Sequence, residues 1–118
     1  MTTLHMFRGD NRTFNLAFTK DGVAQNITGW LIWVTAKTAY TSTDTGNIFQ
    51  KTIGTGVTVV SAVGGTATFD VDDSDTNGFA NERVTLICDV QVKDTPGNIV
   101  TAALFQLIVD PEVTRSIT

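Results

Sequence analysis

The sequence predicts an all-β fold, an immunoglobulin-like antiparallel β-sandwich of about six to eight strands. Three observations predict it. Apolar and polar residues alternate with a period of two in most segments able to form regular structure. These segments are short and are separated by Gly, Asp, Asn and Pro, which favour turns. Helix signals, an apolar stripe at spacings of three and four behind a capping residue, are scarce. A closed barrel fits the same pattern and stands as the alternative.

Phe14, Leu16 and Phe18 alternate with Asn15 and Ala17, and Lys20-Asp21-Gly22 then supplies a turn whose glycine can take positive φ. The next strand enters through Thr28-Gly29 and runs from Trp30 to Thr38. Residues 39–46, rich in Thr and Ser, read as an exposed loop. Asn47 to Ile53 and Val57 to Ala62 are weaker strands divided by Gly54 and Gly56, and Gly64-Gly65 ends the second. Ala67, Phe69 and Val71 alternate with Thr66, Thr68 and Asp70. The clearest strand is Val84 to Lys93, with Leu86, Cys88, Val90 and Val92 on one face and Thr85, Asp89 and Gln91 on the other. Asp94-Thr95-Pro96-Gly97-Asn98 turns it into Ile99 to Val109, completing a hairpin.

A chain of 118 residues is one domain's worth, so residues 1–118 are read as a single sandwich. Residues 1–7 and 111–118 are expected to be flexible arms. Their apolar residues, Leu4, Met6, Phe7, Val113 and Ile117, are isolated and do not alternate as a core strand does.

Charge and cysteine content narrow the function. A net charge of −4 and a pI near 4.6 leave no basic stripe for phosphates, which argues against nucleic-acid binding. No run of about 18 apolar residues occurs and the first residues lack a secretory signal's apolar segment, so no membrane partner is expected and synthesis in the cytoplasm is. Cys88 stands alone, which rules out an internal disulfide and reads as a small buried hydrophobe. His5, the one histidine, sits in the expected arm, a poor place for a catalytic base. No catalytic residue, cofactor or metal is therefore expected, and the chain is read as not an enzyme.

Three local motifs carry a sharper reading beside a plain one. Asp73-Ser74-Asp75-Thr76-Asn77-Gly78 matches the opening of an EF-hand loop, but the twelfth position is Val84 where a bidentate Glu is needed. The plain reading is a polar connection with one helical turn capped by Asp73 or Ser74. Arg8-Gly9-Asp10 spells an adhesion tripeptide and equally a turn before a strand. Asn11-Arg12-Thr13 and Asn26-Ile27-Thr28 are sequons, read as strand-edge and turn residues.

One segment breaks the two-face pattern. If Ile32, Val34 and Ala36 point inward, Leu31, Trp33 and Thr35 point outward, and a Trp beside a Leu suits a partner better than water. Ile87 and Leu104 fall on the outward parity of their own strands. Leu31, Trp33, Ile87 and Leu104 are accordingly the expected protein interface, unless the loop at 39–46 or the N-terminal arm folds over them.

The order of several pieces carries a resemblance. These are Arg8-Gly9-Asp10 before Phe14-Asn15-Leu16, Asn26-Ile27-Thr28-Gly29 before Ala36-Lys37, and Phe49-Gln50-Lys51. Gly65-Thr66-Ala67-Thr68-Phe69, Asp89-Val90-Gln91-Val92-Lys93-Asp94, Gly97-Asn98-Ile99-Val100-Thr101, Phe105 to Val109 and Val113-Thr114-Arg115 follow. In this order and spacing the chain resembles small immunoglobulin-like domains of tailed-bacteriophage structural proteins, typified by the N-terminal domain of the upper baseplate protein. Leu86 and Cys88 stand where that family usually has aromatics, which alters core packing. The resemblance implies a virion structural protein that contacts other virion proteins, in many copies or as a homo-oligomer, with no cofactor. Within these residues no fibre or receptor-binding region follows, so a tail or baseplate, neck, or capsid-decoration role stays open. The alternative is an adhesion module for a host carbohydrate or receptor, whose candidates, Tyr40 and the loop Asp73 to Asn77, lie far apart in sequence.

Overall fold

Where alternation is regular the chain forms strands, as seen in a computed structural model that describes residues 2–38, 48–76, 78, 79 and 82–111. The strands are β1 (Thr2–Phe7), β2 (Arg12–Ala17), β3 (Thr19–Lys20), β4 (Val23–Ala24) and β5 (Leu31–Lys37), then β6 (Phe49–Ile53), β7 (Gly56–Ser61) and β8 (Thr66–Val71). One helical turn, α1 (Asp73–Thr76), precedes β9 (Val84–Lys93) and β10 (Ile99–Asp110). Eight strands form one sheet in the order β1-β10-β9-β5-β6-β7-β8-β2, and β3 and β4 make a separate small hairpin. At the tip of that hairpin Asp21 and Gly22 both have positive φ, 54° and 78°, the twist a two-residue hairpin favours.

The long sheet folds back on itself, and the fold lies at β6 and β7. Only Thr52–Gly56 and Ile53–Val57 pair there, in parallel, around Gly54 and Gly56 at φ 86° and 98°. The bend lays β8 over β10, with the Phe69 and Phe105 rings 5.9 Å apart, and Phe14 of β2 stacks on Phe69 at 5.3 Å. Strands β1 and β2 end the sheet without pairing to each other, so the barrel alternative is ruled out and the molecule is an open all-β sandwich of the immunoglobulin-like kind. The inward residues of the sequence reading form its core: Ile32, Val34 and Ala36 of β5, Ala67, Phe69 and Val71 of β8, and Leu86, Cys88, Val90 and Val92 of β9 are all buried. Each fully buried Leu, Ile or Phe side chain contributes on the order of 2 kcal/mol.

The expected arm at residues 1–7 is corrected. Thr2–Phe7 is strand β1, parallel to β10 from Phe105 to Asp110. Met6 is only 2% exposed and Leu4 packs against the core. Polar Thr2, Thr3 and His5 disguise the strand, because most of its stability comes from backbone pairing and one deep side chain. Pro111 is partly exposed after β10, while the rest of the C-terminal segment, 112–118, and the loop at 39–46 with Tyr40 lie outside the described residues.

Candidate protein-interaction surface

The register of β5, β9 and β10 brings the four expected interface residues onto one outer face. Leu31 pairs with Lys93, Trp33 with Gln91 and Lys37 with Ile87, while Leu104 pairs with Asp89 and Gln106 with Ile87. Leu31 and Leu104 are 50% and 42% exposed, and Trp33 and Ile87 are half-buried. The face is not a continuous apolar patch, because Asp89, Gln91 and Thr35 lie in the rows between them. Thr35, expected to be outward and open, is covered, and its hydroxyl accepts a 3.0 Å hydrogen bond from Gln50 Nε2. The result is apolar anchors set in a polar field, the composition of a non-obligate protein interface.

A second feature escaped the sequence reading. Ile99, Val100, Thr101, Ala102, Ala103 and Leu104, the first half of β10, are all exposed, and a bulge between Thr101 and Ala103 interrupts the pairing with β9. Next to them a groove of about 410 Å³ opens between the two halves of the sandwich, with Phe18, Trp30, Val90, Val92 and Val100 among its lining residues. The signal was present: Thr101-Ala102-Ala103 does not alternate.

The motifs read as possible binding elements are engaged inside the molecule. Arg8 is buried, its guanidinium donates to the Phe79 carbonyl, and the Gly9 amide donates to Thr76 Oγ1 at 2.9 Å. The tripeptide therefore ties the end of β1 to α1 and to Phe79 just after it, and does not project as an adhesion loop. In the acidic loop a lysine stands where a calcium reading would place a metal. Lys51 Nζ lies 2.7 Å from Asp75 Oδ2 and 3.4 Å from Asp72 Oδ2, its side chain 10% exposed. Burial alone would lower the Lys51 pKa, but the hydrogen bond and charge of Asp75, followed by those of Asp72, outweigh it and raise the value above its ordinary one.

Asp75 Oδ2 also accepts the Asp72 amide at 2.8 Å, and the Asp73 amide donates to Asn11 Oδ1 at 2.9 Å. Asp73 contributes to the cap as expected, its Oδ1 accepting the Ser74 amide at 2.8 Å, and shares it with Asp75 and Asn11; Asn77 lies outside the described residues. Asn26 of the second sequon accepts the amide and hydroxyl of Thr28 at 3.0 and 2.6 Å, an Asx turn. Burial first, and then the Asp89 charge, push the Cys88 thiol up to about 12. His5 is exposed on β1, and among the described residues no three His, Cys, Asp or Glu side chains gather to hold a metal. Nor is any described helix long and apolar enough to cross a membrane.

No family model and no curated protein matches the chain. Solved structures do share its fold. The crystal structure of CopC from Methylosinus trichosporium OB3b is 16% identical, with a TM-score of 0.51 over 97% of this chain and 89% of that one. The N-terminal domain of phage TP901-1 ORF48 is 14% identical, with a TM-score of 0.51 over 93% of this chain and 84% of that one. At such identities the likeness is one of fold, and a phage domain is among the proteins that share it.

Proposed function

We propose that this domain is a non-enzymatic structural component of a tailed-phage virion, acting through contacts with other virion proteins. The observation that carries this reading is the outer face of β5, β9 and β10, which presents Leu31, Trp33, Ile87 and Leu104 on three adjacent strands. Exposed apolar anchors on a rigid sheet mark interaction sites, and Trp is enriched where binding energy concentrates. The shared fold with a phage domain supports the same reading. The site lies in the particle, where many copies make weak individual contacts sufficient. An adhesion role is less favoured, because Arg8 and the Asp72–Asp75 segment are both committed to internal bonds.

Trp33→Ser tests the surface. Trp33 is on the outer face and only half-buried, so the variant is expected to stay folded with a melting temperature a few degrees lower. Docking of such a side chain is worth on the order of 2 to 3 kcal/mol, so incorporation into particles should fall sharply. Normal incorporation of the folded variant would place the interface elsewhere.

A further inference from the structure

From Phe105 to Asp110 the outer edge of β10 is taken by β1, and no described strand continues that line past Leu104. Among the described residues the edge of Ile99–Leu104 is therefore open, and all six residues are exposed. The stretch holds neither charge nor proline, the devices that commonly keep sheet edges apart. Its open side borders the groove over Phe18, Trp30 and Val92.

We propose that a second copy of this chain fills this position, its own Ile99–Leu104 running antiparallel across a two-fold axis near Ala102. The turn at Asp94–Asn98 bounds the stretch at one end, and at the other the pairing of β10 with β1 is described from Phe105 onward. A two-fold mate presents the same six residues. Charge fits as well, since an uncharged edge meets an uncharged edge in a chain whose net charge of −4 would penalise most self-contacts. Val100 pairs with Val92 and Ala103 with Val90, both inward positions, so the mate's Val100 and Ala103 would lie over the groove mouth. Val100, 53% exposed in the single copy, would be covered in both. The bulge keeps the paired stretch short, so the contact is weak alone and gains strength in a multicopy assembly.

This contact deepens the assembly reading by naming a partner, yet its test uses the isolated protein and does not depend on incorporation into particles. Sedimentation equilibrium over a concentration series is expected to show a reversible dimer. Val100→Asp should weaken it at least tenfold while leaving the melting temperature nearly unchanged. Ala102→Cys should form a disulfide-linked dimer on mild oxidation, whereas Thr58→Cys, at an exposed position of β7, should not; native Cys88 is buried and does not compete. A protein monomeric up to about 1 mM with no Ala102→Cys cross-link would overturn the proposal. So would a dimer that survives Val100→Asp and is abolished by Trp33→Ser, which would place the self-contact on the outer face.

Discussion

Lys51 is the residue on which the acidic loop depends. Its stem lies against Gly56, where an added Cβ would come within 2.5 Å of Lys51 Cδ, and its ammonium bridges Asp75 and Asp72. Lys51→Met keeps the stem and removes the charge, leaving the Asp75 carboxylate, 15% exposed, without its cation. The expected cost is about 2 to 3 kcal/mol, a fall in Tm of roughly 10 °C. The sign of the pH dependence follows from the raised Lys51 pKa. Such a group's stabilisation is fully present below its unfolded-state value and is lost as pH rises through the higher folded-state value. In urea titrations the wild-type advantage over Lys51→Met should therefore hold from pH 7 to 9 and shrink above about pH 10.5. An advantage that grew with alkali would refute the ion pair. Cys88 should resist thiol reagents at pH 8 until the protein unfolds, because burial pushes its thiol up to about 12.

At the scale of elements the sequence was legible wherever one face is apolar throughout. The β9 and β8 bounds read from alternation match the structure, as do the inward faces of β5, β8 and β9. β1 was not legible, since a parallel edge strand needs only Met6 and partly Leu4 inside. Lys51 shares the inward parity of Phe49, but its partners lie across the turn of α1, and nothing local announces them. The outward parity of Leu31, Trp33, Ile87 and Leu104 was readable, whereas the polar residues between them depend on the register of three strands.

Deleting Thr2–Phe7 should therefore destabilise the domain severely, by several kcal/mol on thermal unfolding; an unchanged Tm would restore the arm reading. Gly65 tests the junction between the halves. It has φ 71°, its carbonyl accepts the Phe18 amide at 2.8 Å, and a Cβ there would meet the Gln25 carbonyl at 2.3 Å. Gly65→Ala should lower Tm by roughly 10 °C or more, while Gly78→Ala, with open space around it, should change Tm little.

For the whole molecule, the ammonium of Lys51 already bridges Asp72 and Asp75 in the loop that resembles a calcium site, so calcium at millimolar levels should shift Tm no more than sodium at equal ionic strength. A calcium-specific rise of several degrees would contradict that assignment. The two surfaces we propose for partners are the outer face of β5, β9 and β10 and the edge of β10 at Ile99–Leu104. The most direct measurement is mass spectrometry and immunoblotting of density-gradient-purified virions from lysates of the host that carries this gene. The protein is expected to band with the particles in many copies, and the Trp33→Ser variant to remain in the soluble fraction. A folded wild-type protein present in the lysate and absent from the particles would contradict a structural role in the virion.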